Sequence, residues 1–176
     1  EITKSGEIID EKKRDFLDQR PLDRRSKLYA TLTTEETNDL FYSLAKATYK
    51  SDEYILRQGK LNSNLYFIEK GQLTVFYRQG NMDMHLKRLG PGDIAGEDTF
   101  IPLSVCTTSL ITLTDVELYF LNRDILLSLS DKVPVLEIKL ERYCLGREKT
   151  NQIITKKRLD RRLHKRVKVS GKLVFY

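Results

Sequence analysis

The chain has 176 residues, 40% of them apolar and 32% charged, which is enough for one buried core and argues against global disorder. No run approaches the roughly eighteen consecutive apolar residues of a transmembrane helix, and the opening EITKSGEIIDEKKRDF lacks the apolar stretch and cleavage site of a secretory signal, so no membrane association is expected. Two cysteines, Cys106 and Cys144, are too few for a disulfide framework and point to a reducing, cytoplasmic setting; with no C-x-x-C and with His85 and His164 standing alone, no metal site is expected.

Residues 1–30 are charged, with few apolar anchors (Phe16, Leu17, Leu22, Leu28), and predict a loosely attached arm over 1–27 containing a short helix. TLTTEETNDLFYSLAKATY then predicts a helix. Thr33 followed by Glu36 fits a capping box, and Leu40, Phe41, Leu44 and Ala45 make one apolar face. From residue 49 to 122 the texture changes to short alternating runs: YILRQG, NLYFIEKGQLTVFYRQG, HLKRLGPGD, CTTSLITLTD and VELYFLNRD. Gly59, Gly71, Gly80, Gly90 and Gly92 punctuate them, and Lys70-Gly71 reads as a hairpin turn. So many short antiparallel strands predict a mainly β fold, an eight-stranded jelly-roll (double-stranded β-helix) barrel with an N-terminal helix and a long C-terminal one.

After residue 122 the helical period returns, first in a short helix over 123–129. Val133, Leu136, Leu140 and Tyr143 then step by three, four and three residues along a longer helix that runs to about Asp160, with Gly146 as its weak point. The net charge of +6 belongs to the tail: nine Lys or Arg stand between 156 and 172 against one acid, Asp160, and the rest of the chain is close to neutral. VKVSGKLVFY alternates like a strand, and a lone strand cannot bury its apolar face, so it is expected to begin a second domain.

The order helix, barrel, long helix resembles a cyclic-nucleotide-binding domain of the Crp and protein-kinase-A regulatory type. LYATLTTEETNDLFYSLAKATYKSDEYILRQGKLNSNLYFIEKGQLTVF is similar to that family's opening, LGPGDIAGE to the segment leading into its phosphate-binding cassette, and TDVELYFLNRD to its last barrel strand. The resemblance implies a cassette of backbone N–H groups facing a cyclic phosphate, a glutamate on the ribose 2′-hydroxyl, and an arginine paired with a phosphate oxygen. Gly96 and Glu97 match the Gly-Glu. Sixteen residues separate Glu97 from Thr114, the spacing the resemblance requires, so Cys106 takes the arginine's place and Thr107 follows it. Asp98 adds a negative charge where the family has an apolar residue, and Thr107, Thr108 and Ser109 offer hydroxyls only. Losing the cationic partner of a buried phosphate costs about 3–5 kcal/mol. Ordinary binding of cAMP or cGMP is therefore expected to be weak or absent, unless Arg57 or Arg88 reaches the pocket. Cys106 is read as a small buried hydrophobe rather than a redox group.

KKRLDRRLHKRVKVSGKLVFY resembles the start of a PilZ domain, which implies cyclic di-GMP recognition through R-x-x-x-R, here Arg162 and Arg166. The expected organisation is an arm (1–27), a cyclic-nucleotide-binding-like barrel (28–132), a helical linker (133–160) and the start of a PilZ-like domain (161–176). The expected function is that of a regulatory module sensing a small nucleotide messenger, with no required cofactor. The stripe at Leu136, Leu140 and Tyr143 offers a homodimer seam. A Crp-like transcription regulator fragment and a ligand-free interaction scaffold are the alternatives. The strand pattern of the tail disfavours DNA binding, and no metal triad, activated nucleophile or carboxylate pair suggests an enzyme.

Overall fold

The computed structural model describes residue 28 and residues 30–146. Helix α1 (Thr34–Ser43) starts with the predicted capping box: Glu36 N–H donates to the Thr33 hydroxyl at 3.2 Å, and Thr33 N–H donates to the Glu36 carboxylate at 2.9 Å. Leu40, Phe41 and Leu44 are buried as expected, but Ala45 is exposed. The backbone turns extended at Leu44 (ψ 136°), and the end of the predicted helix is instead strand β1 (Ala45–Tyr49). Its pairing with the last strand, helped by Thr48 and Tyr49, overrides the helical pattern.

The chain continues through β2 (Tyr54–Leu56), β3 (Asn64–Lys70), β4 (Leu73–Gln79), β5 (Met82–Leu89), β6 (Ile94–Ala95), the one-turn helix α2 (Glu97–Phe100), β7 (Ser109–Thr112), β8 (Val116–Asn122), α3 (Arg123–Ser130) and α4, described over 134–146. The eight strands form two antiparallel sheets of four, ordered β1-β8-β3-β6 and β2-β7-β4-β5. The fold is mainly β with flanking helices, but the expected closed barrel is not seen: no strand pair among the described residues joins one sheet to the other. Nor is Lys70-Gly71 a hairpin. β3 pairs with β8 and β6, whereas β4 pairs with β5 and β7, so the turn carries the chain between sheets. Gly71 has φ +96°, and a Cβ there would lie 2.3 Å from the Asp115 carbonyl oxygen.

Three layers result. Leu73, Val75, Leu86, Leu89 and Leu110 meet Tyr66, Ile68, Ala95, Val116 and Leu118 between the two sheets. On the other face of the first sheet, Leu65, Phe67, Ile94, Tyr119 and Leu121 pack with Leu40, Phe41, Phe100, Leu126, Leu136 and Leu140 of the helices. β3 is thus buried on both faces, which is why LYFI runs apolar without alternation. Leu136 and Leu140 are fully buried and Tyr143 packs against them, so the stripe expected to form a dimer seam is spent on the domain's own core. The apolar residues α4 leaves exposed are Val135, Ile138 and Leu145. The arm over 1–27, the linker beyond 146, Arg162, Arg166 and the expected strand at 167–176 lie outside the described residues.

Glu36 also ties α1 to α4. Lys139 Nζ donates to the Glu36 carboxylate at 2.7 Å, and the Glu36 side chain is largely buried. Lys139 above all, then the Thr33 amide, hold this carboxyl below the usual carboxylate range against the opposing effect of burial. A lowered folded-state value adds stability above the ordinary carboxylate range, and this is lost as pH falls through it. Glu36→Gln should therefore cost about 1–2 kcal/mol in urea unfolding at pH 7, with the gap to wild type closing towards pH 3. A pH-independent gap would contradict this role for the ion pair.

Candidate functional site

The segment between β6 and β7 is held by backbone geometry that only glycine tolerates. Gly96 sits at φ +86°, and a Cβ there would come within 2.7 Å of the Asn64 carbonyl oxygen and 2.8 Å of Asn62 Nδ2. Its own carbonyl starts α2, accepting from Phe100 N–H at 2.9 Å and Thr99 N–H at 3.2 Å. Asn62, buried beneath it, donates through Nδ2 to Asn64 O (2.8 Å) and Thr99 Oγ1 (3.0 Å), and its Oδ1 accepts from Asn64 N–H (3.0 Å). The returning limb is strapped to the same stretch: Cys106 N–H donates to Lys60 O at 2.8 Å and Gly59 N–H to Cys106 O at 2.7 Å.

Of the residues singled out in sequence, Gly96, Asp98 and Cys106 come together around this frame. Glu97 opens α2 and is buried, and Asp98 is half-buried. Cys106 is 4% exposed; burial above all, then the Asp98 carboxylate, push its thiol up, while a hydrogen bond with Thr99 opposes them. That favours the thiol over the thiolate, the state of a packing residue rather than a nucleophile. Thr107 is exposed and Thr108 half-buried, while Ser109 is buried and accepts from Gln58 N–H at 2.9 Å.

Neither Arg57 nor Arg88 points into the space between the two sheets. Arg88 stands opposite Thr74 on the face of β4 and β5 that points away from the intersheet core, since the neighbouring pair Leu73 and Leu89 fills that core. The Arg57 guanidinium lies 4.0 Å from the centre of the Tyr54 ring, on the same outer face. Three residues of the site escaped the sequence reading: Asn62, Thr99 and Tyr66. The Tyr66 ring lies under Gly96, its hydroxyl accepts from Asn64 Nδ2 at 3.2 Å, and burial above all pushes its phenol up. Asn-Ser-Asn in the sequence marks a turn, but no local signal says that it grips a loop more than thirty residues away.

Residues 46–132 match the family model described as Cyclic nucleotide-binding domain. These residues are a cyclic nucleotide-binding domain. The chain is 28% identical over 112 residues to the cyclic AMP receptor protein of Thermus thermophilus, covering 63% of this chain and 52% of that relative. The match therefore spans about half of the relative's length. Among solved structures, the domain is similar to the Thermus thermophilus catabolite activator protein (25% identity, TM-score 0.62, 72% of this chain and 60% of that one). It also shares its fold with a cyclic nucleotide-binding domain from Methylobacillus flagellatus (22% identity, TM-score 0.68, 86% and 85% coverage).

The cyclic nucleotide-binding domain thus keeps its cassette in place through one glycine and one asparagine. Asn62→Ala leaves the Thr99 hydroxyl and the Asn64 backbone without their buried partner and should destabilise the domain by about 1–3 kcal/mol. Gly96→Ala should cost at least as much, because left-handed strain is joined by the clash with Asn64 O. Urea midpoints within the error of wild type for both variants would refute this account of the frame.

Proposed function

We propose that this chain is a regulatory module whose nucleotide pocket has kept its frame and lost its grip on a cyclic phosphate. The observation that carries the regulatory part is the position of Phe100. This last residue of α2 is fully buried in one cluster with Leu126, Leu136 and Leu140 of the two C-terminal helices. Arg123, the first residue of α3, donates from Nη1 to the Phe100 carbonyl at 2.7 Å and also to the Ile101 carbonyl. A shift of the cassette moves Phe100 against α4, so a ligand that prefers one cassette arrangement biases the helix by its differential affinity.

The degenerate part rests on charge. A phosphate diester stays anionic at physiological pH, and here Cys106 stands where the resemblance calls for arginine, with Asp98 acting on the same spot. The output is read as a PilZ-like domain beginning near 161, on the spacing of Arg162 and Arg166 and the strand pattern after them. A Crp-like transcription regulator is the second reading, favoured by the match to a cyclic AMP receptor protein.

Calorimetry with cAMP on Cys106→Arg, and on Cys106→Arg combined with Asp98→Asn, tests the proposal. The double variant should bind about 10²- to 10³-fold more tightly than wild type, and binding should alter hydrogen exchange over residues 134–146. Micromolar binding by wild type, or restored binding that leaves exchange in α4 unchanged, would overturn it.

A further inference from the structure

The outer face of the β2-β7-β4-β5 sheet carries a second candidate site, separate from the cassette. Along β4, Leu73 and Val75 fill the intersheet core, so Thr74, Phe76 and Arg78 point the opposite way. That face should be wet, yet Phe76 is only 4% exposed. The Tyr54 ring meets it edge-on with centroids 6.1 Å apart, and two guanidinium groups cover the pair: Arg57 over Tyr54 at 4.0 Å and Arg78 over Phe76 at 5.8 Å. A cavity of about 520 Å³ opens beside them, with Tyr54, Arg57, Lys60, Phe76, Arg78 and Ser109 in its wall.

The lining has three cations and no carboxylate. Arg78 is already engaged, forking onto Asp83 at 2.6 and 2.9 Å. Arg57 and Lys60 have no carboxylate within 4.0 Å among the described residues, although Arg57 is held in place by its stack on Tyr54. A guanidinium positioned in advance loses little freedom when it takes up an anion. Two uncommitted cations match a dianion, and a phosphate monoester carries close to two charges at neutral pH. The volume falls within the range of small-molecule sites, and the part-exposed Tyr54 ring, backed by Phe76, supplies an apolar surface beside the charge.

We infer that this groove binds a small phosphate monoester of mononucleotide size, with Arg57 and Lys60 holding the phosphate and the accessible edge of Tyr54 meeting the organic part. The groove also shares its rim with the cassette, because Gly59 and Lys60 are the residues whose backbone holds Cys106. The two sites are back to back on one stretch of chain.

The test is an NMR titration of the full chain with AMP and, separately, with inorganic phosphate. AMP should give saturating shifts at the Arg57 side-chain N–H and at the Gly59 and Lys60 amides, and inorganic phosphate should shift the same signals at several-fold weaker affinity. Arg57→Gln with Lys60→Gln should weaken AMP at least about tenfold. Glu97→Gln should leave it unchanged, which separates this groove from the cassette. Both altered cations are exposed, and a thermal melt matching wild type confirms that the double variant folds. Absence of shifts at about 5 mM AMP, shifts that survive the double substitution, or phosphate binding as tightly as AMP would each overturn the inference.

Discussion

The cassette exists in its present place because residue 96 has no Cβ. The turn from β6 into α2 needs a left-handed backbone at that residue and lets it lie against the carbonyl of Asn64 and the amide of Asn62. From that contact follow the start of α2, the seat of Thr99 on Asn62, and the burial of Phe100 against the C-terminal helices. The returning limb is fixed to the same stretch of chain by the pair of backbone bonds between Cys106 and residues 59 and 60. The α2 turn and its helix contact are therefore one mechanical unit.

Geometry and charge have parted in this unit. The frame is complete, but where the resemblance calls for an arginine the chain has a buried thiol beside a carboxylate. Hydroxyls nearby can donate hydrogen bonds to an oxyanion, yet they cannot offset its lost hydration as a guanidinium does. Arg57 and Lys60, which have no carboxylate within 4.0 Å among the described residues, line the groove on the outer face of the second sheet, next to an aromatic wall.

Much of this was legible in the chain, and the misses share a cause. The capping box at Thr33 and Glu36 reads directly, because both halves are local. The resemblance implies that Cys106 stands at the cassette, and the structure has Asp98 and Thr99 acting on Cys106. β1 was hidden because Ala45–Tyr49 continues an amphipathic helix without a breaker, and only its partner β8 makes it a strand. Lys70-Gly71 reads as a hairpin because alternation on both sides says nothing about which sheet each strand joins. Asn62 and Tyr66 could not be found for the same reason: their roles are set by contacts with residues distant in sequence. The faces taken by Arg57 and Arg88 likewise depend on which side of β4 is buried.

The claim that the pocket lacks a cation is tested most directly by titrating the unmodified chain with cAMP and following the amides of residues 96–100 and 106 by NMR. The account predicts no saturation below about 1 mM, because roughly 3–5 kcal/mol of phosphate pairing is missing. Saturating shifts of these amides at micromolar cAMP would contradict it.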